Sequence, residues 1–354
     1  MIRSPSLQKT VYYLLLGFLI LVGLYYSKPF LVPVCFAGLL AMLFLPLCHW
    51  FESKKIPRWL SVLCCIIIFL GIFSGIVLLI SWQINDLAVE ATDFRNKLQK
   101  MINQIEGYFS EKFDVPADQL EKLVTNQAKK NADILPTIGS FITGFLTNFV
   151  LVTVYTYLFM YYRQRIKNFI LQLVKPAENK DAEVIMHDIQ KVSQQYLVGL
   201  GIMILCLWVM YSIGFSIVGV RYAVLFAVIC GLLEIVPFIG NLTGNLLTIL
   251  MVVIQGGGPG MVVGVVVTYM LIQFIQTYFL EPLVVGAEVN INPLFTIIIL
   301  VIGELVWGVP GLILAIPLLA IVKIICDHVP SLKPYGYLVG SDKKKKSSFI
   351  KRRK

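Results

Sequence analysis

Residues 222–254, YAVLFAVICGLLEIVPFIGNLTGNLLTILMVVI, and residues 293–325, PLFTIIILVIGELVWGVPGLILAIPLLAIVKII, decide how this chain folds. Each is an apolar stretch of 33 residues, interrupted near its middle by a carboxylate and then by Pro and Gly. A continuous helix of that length would measure about 50 Å, against a hydrocarbon core of about 30 Å. Two arms of about 14 residues would reach only about 21 Å each, which suits a re-entrant hairpin. A shift of 70 positions lays Glu234 on Glu304 and Val236 on Val306, with Pro and Gly following in both. Broken helix at membrane depth is tolerated only where it is buried in protein or lines a cavity. A single kinked crossing in each stretch is the alternative, since Pro and Gly are common in membrane helices.

The rest of the composition agrees with a membrane setting. The chain has 354 residues, 58% of them hydrophobic and 14% charged, with a mean hydropathy of +0.81. A soluble domain carries about a quarter charged residues, so a soluble enzyme and a disordered chain are both excluded. The net charge of +10 would suggest nucleic acid if it were spread over a fold. It is not spread: residues 341–354 hold eight basic residues and Asp342, which is +7 of the total. Such a tail beside an apolar helix faces anionic lipid and marks the cytoplasmic side, so no nucleic-acid partner is expected.

The fold class expected is an all-α polytopic membrane protein with eight apolar segments. Six are full transmembrane helices, at 11–27, 30–47, 59–82, 141–162, 196–219 and 261–280, and two are the broken stretches. Five regions follow. Residues 1–82 form three N-terminal transmembrane helices, and 83–140 an extracytoplasmic amphipathic region. Residues 141–195 hold a transmembrane helix and cytoplasmic amphipathic helices. Residues 196–325 form a core of two repeats (196–254 and 261–325), and 326–354 the tail. In the second region Ile84, Leu87, Ala91, Phe94, Leu98, Met101 or Ile102, Ile105 and Phe109 recur at spacings of three and four, a helical stripe. It packs on its own protein, lies on the membrane surface or pairs subunits. The positive-inside rule puts both termini, residues 49–58 and residues 163–195 in the cytoplasm.

With that topology the two repeats enter from opposite faces, the inverted plan of several secondary transporters. Carboxylates inside apolar runs are costly and are functional candidates by default. Glu234 and Glu304 are therefore candidates, unless the tips reach the interface and are simply solvated. The full set of candidate substrate- or ion-binding residues is Glu234, Pro237, Gly240, Asn241, Asn245, Gln273, Gln276, Glu281, Asn292, Glu304, Gly308 and Gly311. The amides could hydrogen-bond a hydroxylated solute. The carboxylates could carry protons or bind Na⁺ with hairpin carbonyls. No cofactor or metal is expected beyond a coupling ion, H⁺ or Na⁺.

Enzymatic readings fail on the residues they need. Gly256–Gly260 has the glycines of a phosphate loop without its Lys-Ser/Thr. Ser216 is a faint echo of an intramembrane serine protease, yet the histidines (His49, His187, His328) lie outside the middle of any span. The seven cysteines lie in or at the ends of apolar runs without metal spacing, as packing residues do. A scaffold that binds a partner through residues 83–136 is the function of another class that competes with transport.

Ile235-Val-Pro-Phe-Ile-Gly240, Gln273 and Gln276 ahead of Glu281-Pro282, Asn292-Pro293, Gly303, Gly308, Gly311 and Pro317 together resemble the autoinducer-2 exporter-like transporter family of bacteria. The layout of nearly the whole chain matches that family. One departure is Tyr196-Leu-Val-Gly199, where the family often has Arg before the Gly. The resemblance implies an inner-membrane permease that forms a homo-oligomer, a pentamer being one form it could take. It also implies export of a quorum-sensing signal, Na⁺ or Li⁺ exchange for protons, or efflux of a small solute.

Overall fold

The computed structural model of the protein describes residues 7–89, 134–173, 179–237, 239–285 and 291–341. Most of the expected amphipathic region, residues 90–133, and the tail from 342 onward lie outside the described residues. The helices are α1 (Leu7–Tyr26), α2 (Lys28–Ser53), α3 (Arg58–Val89), α4 (Ile134–Leu173), α5 (Asn179–Val218), α6 (Ala223–Leu233), α7 (Ile239–Ile254), α8 (Pro259–Ile275), α9 (Pro293–Trp307), α10 (Val309–His328) and α11 (Lys333–Val339). Directly after α8 the chain continues as a wider π-helix over Gln276–Val285. Pro282 lies inside that stretch, where an α-helical ladder would clash with the proline ring.

Six of the described helices are long and apolar enough to cross a membrane. Five are spans expected from the sequence, within α2, α3, α4, α5 and the helix that starts at Pro259; the sixth is α10. With side chains such as Phe18 (66% exposed) and Leu78 (68%) facing outward, a multi-pass membrane protein is the architecture that accounts for the apolar exterior.

Two features differ from the pattern of separate spans and amphipathic helices. Both α4 and α5 run for 40 residues, about 60 Å, without a break where their hydropathy falls. No Pro or Gly stands at residues 163 or 195, so the backbone ladder continues out of the apolar part. The second broken stretch is also unevenly divided. Its arms are 15 and 20 residues, because the chain reverses at Gly308.

The chain divides into two compact units. One comprises residues 1–45, 159–201 and 281–354. Its core joins Val32 and Leu39 of α2 to Trp307 and Leu314 at the second hairpin. The Trp307 indole Nε1 donates to the Leu24 carbonyl at 2.9 Å, tying the end of α9 to the end of α1. Gly308 has φ 67° and ψ −145°, a conformation in which a side chain would be strained. The α9–α10 pair starts and finishes at one end, where Asn292 N–H donates to the Val339 carbonyl at 2.8 Å.

The other unit comprises residues 46–158 and 202–280. Phe73 of α3 stacks on Phe149 of α4 at 4.2 Å between centroids. Here α6 and α7 form the first hairpin. Leu225, Phe226, Ala227 and Val228 of α6 are buried, as an apolar helix of only 11 residues requires if it is to be held by packing.

Candidate functional site

The first hairpin turns where the sequence removes the helix-forming options. Glu234 caps α6 and still donates its N–H to the Cys230 carbonyl at 3.1 Å. The next turn tightens, with Ile235 N–H on Leu232 and Val236 N–H on Leu233. Pro237 disfavours helical backbone at Val236 and has no N–H to offer. The ladder resumes when Gly240 N–H reaches the Val236 carbonyl at 3.0 Å.

Gly240 is required by contact, since a Cβ there would collide with the Leu233 carbonyl. The second hairpin closes in the same manner. A Cβ on Gly311 would collide with the Gly303 carbonyl, and one on Gly303 would stand 2.6 Å from the Gly311 carbonyl. In both hairpins the carbonyl that meets the glycine belongs to the residue directly before the glutamate, Leu233 before Glu234 and Gly303 before Glu304.

Polar side chains gather at the first tip. Gln276 Nε2 donates to Glu234 Oε1 at 2.8 Å. Gln273 Nε2 donates to Gln276 Oε1 at 3.3 Å and to the Tyr211 hydroxyl oxygen at 3.5 Å. Asn241 Nδ2 donates to Gln273 Oε1 at 3.2 Å. The chain Glu234–Gln276–Gln273–Asn241 thus connects the end of α6, the helix beginning with α8, and the first turn of α7. Gln273 and Gln276 share a face because they are three residues apart on one helix. Asn245, one turn along α7 from Asn241, is 6% exposed. The Oδ1 atoms of Asn241 and Asn245 and Trp208 Nε1 are buried with no hydrogen-bond partner among the described residues.

Energetics explain why the carboxylate needs this company. A charged side chain at membrane depth costs roughly 2.5–3.5 kcal/mol on insertion scales. A hydrogen bond to a charged group returns about 1.5–3 kcal/mol. One amide donor therefore offsets much of the cost of Glu234, and the remaining amides hold that donor in place. Together they form a surface of amide, hydroxyl and carboxylate groups that can exchange internal bonds for bonds to a polar solute.

Of the twelve candidates, Glu234, Asn241, Gln273 and Gln276 come together in this network. Pro237 and Gly240 shape its tip, and Asn245 lies in the same unit. The others belong to the unit that contains the second hairpin. Asn292 caps α9, its Oδ1 accepting from Leu294 N–H at 3.0 Å, which is a structural role. Gly308 and Gly311 form and close the second hairpin. Glu304 and Glu281 are exposed. The network has two contributors that motif reasoning missed, Tyr211 and Met203 on α5. Tyr211 is 1% exposed, and Met203 Sδ lies 3.9 Å from Gln276 Nε2. A tyrosine in the interior of the fifth span, away from either interface, was the available signal.

Known proteins give a consistent comparison. The family described as AI-2E family transporter matches residues 14–331. Among relatives, YrrI of Bacillus subtilis, named for transport with no substrate stated, is 23% identical over 309 residues, covering 85% of this chain and 87% of the relative. YueF of the same organism, named likewise, is 24% identical over 318 residues, covering 84% and 85%. The AI-2 transport protein TqsA of Escherichia coli is 23% identical over 323 residues, covering 89% and 91%.

Proposed function

The chain belongs to the AI-2E transporter family, and on that premise we propose that it is a secondary transporter that exports a small hydroxylated solute through the polar network at the first hairpin. The observation that carries this reading is the amide-rich chain from Glu234 to Asn241. Three neutral amides accompany one carboxylate, which matches the mixed donors and acceptors of a polyol better than the shell of oxygens a bare cation needs. The relative TqsA is named for AI-2 transport, and a solute of that class, a quorum-sensing signal, is the substrate we favour for this chain. Exchange of Na⁺ or Li⁺ for protons is the second reading, supported by the carboxylate of Glu234 within a membrane segment.

Topology supports the proposal. An α6 of 11 residues extends about 16 Å, too short to cross a core of about 30 Å, so the first hairpin is re-entrant in this reading. The matched closures at Leu233–Gly240 and Gly303–Gly311 favour two copies of one hairpin plan; the distribution of basic residues supports their insertion from opposite faces of the inner membrane with both termini cytoplasmic. The subunits assemble as a homo-oligomer. Asn245, in the same unit as the network, serves the same pathway as a secondary contact.

Flux in proteoliposomes tests the function. Export of a labelled vicinal diol by the full chain, lost in Glu234→Gln, supports the first reading. Dissipation of a proton gradient by Na⁺ or Li⁺ without diol flux supports the second. Unaltered flux in Glu234→Gln would remove the network from the mechanism. Single cysteines at Ile235 and Val309 in a cysteine-free background test the topology: labelling from opposite faces is expected, and labelling of both from one face would sink the inverted repeat.

A further inference from the structure

A second feature lies in the unit that contains the second hairpin. An apolar groove of about 460 Å³ runs between α1 and α9, lined by Leu21, Val22, Tyr25 and Tyr26 on one side and by Ile302, Leu305 and Val306 on the other. That volume falls within the range of pockets that hold a ligand. No residue of the polar network lines it. Both helices run toward the same end, where Trp307 bonds to Leu24 and the chain turns at Gly308.

Lys28 stands at that end. Its ammonium sits over the hairpin tip, 3.6 Å from where a Cβ on Gly308 would be. It makes no ion pair or hydrogen bond among the described residues. Its nearest carboxylate along α9 is Glu304, exposed and one turn below the tip. Tyr25 and Tyr26 pack edge to face at 5.5 Å, with Ser27 between them and Lys28. Tyrosines and a lysine at the end of a membrane helix are the residue types found at the headgroup level.

We propose that the α1–α9 groove and Lys28 form a binding site for an anionic glycerophospholipid. One acyl chain lies in the groove against Leu21, Val22 and Leu305. The phosphate pairs with Lys28 at the mouth, beside the Tyr25 and Tyr26 rings. Charge complementarity selects the occupant. A lone ammonium above an apolar slot at membrane depth matches a molecule that joins a phosphate to a hydrocarbon chain. A soluble phosphate would leave the slot empty, and a neutral tail would leave the ammonium unpaired. Bound there, the lipid bridges the first helix and the second hairpin, so its presence stiffens the α9–α10 tip against α1.

Native mass spectrometry of the purified full chain tests this, with phosphatidylglycerol, phosphatidylethanolamine and glycerol 3-phosphate as probes. Phosphatidylglycerol is expected to bind in preference to phosphatidylethanolamine. Lys28→Gln should lower its binding about fivefold, to the level of phosphatidylethanolamine. Leu305→Trp, which fills the slot, should displace both lipids; Val22→Trp serves if the first variant does not fold. Unchanged phosphatidylglycerol binding in Lys28→Gln overturns the headgroup assignment. Competition by glycerol 3-phosphate as strong as that of the lipid would show a plain anion site and overturn the proposal. Loss of the oligomer in Leu305→Trp with lipid binding intact would assign the groove to a second copy instead, with the same consequence.

Discussion

Gln276 reaches across 42 positions of sequence to place its amide Nε2 2.8 Å from the Glu234 carboxylate. One residue belongs to the membrane helix that begins at Pro259, the other to a turn that ends a short helix. Replacing Gln276 by Ala removes this donor from a carboxylate in an apolar segment. Stability is expected to fall by about 1–3 kcal/mol, read as a lower Tm in detergent, and flux should fall with it. Glu234→Gln keeps the shape and the hydrogen bond, so its Tm should stay near the native value while flux drops at least about tenfold. A difference between these two variants separates the charge from the scaffold.

Gly311→Ala places a methyl group against the Gly303 carbonyl. Overpacking of this type costs about 1–3 kcal/mol, so a clear drop in Tm is expected. Gly38→Ala on α2 is the control, because a Cβ there meets nothing within 4 Å. That substitution should be neutral or stabilising by about 0.4–1 kcal/mol.

Gly308→Ala tests the turn itself. Its φ of 67° with ψ −145° belongs to a region that is nearly exclusive to glycine, and holding another residue there costs about 1–3 kcal/mol. The loss should appear in thermal unfolding. Protection of the α9–α10 amides from hydrogen exchange should fall with it.

Trp307→Phe keeps an aromatic ring in the core and deletes one hydrogen bond, the one to the Leu24 carbonyl. A decrease of about 1 kcal/mol is expected. The same substitution loosens α9 from α1, so limited proteolysis near Ser27 should become faster.

Part of this structure was legible in the chain alone. A carboxylate followed by Pro in an apolar run announces both a broken helix and a reason for it, which is why Glu234 and Pro237 stood out. Gln273 and Gln276 were visible because amides are rare in lipid-facing segments and three residues apart share a face. Tyr211 was harder to see, since tyrosine also serves as an interfacial anchor and only its depth distinguishes the two roles. The closures at Leu233–Gly240 and Gly303–Gly311 could not be read, because glycine in a membrane helix has several uses and a close approach is a property of two segments. The unbroken lengths of α4 and α5 were hidden for another reason. Hydropathy reports what surrounds a helix, whereas the backbone ladder decides where it ends. The capping use of Asn292 was open to reading as well, because an asparagine followed by Pro293 is a common start of a helix.

The glycine contacts have a mechanical consequence. Helices in most proteins are separated by interdigitated side chains, and that cushion lets them slide an ångström or two past one another. Where Gly240 rests on the carbonyl of Leu233 and Gly311 on that of Gly303, the cushion is gone. Peptide planes lock like the teeth of a closed clasp. Each hairpin must then travel as a single stiff blade, with its flexing confined to the chain at its two feet.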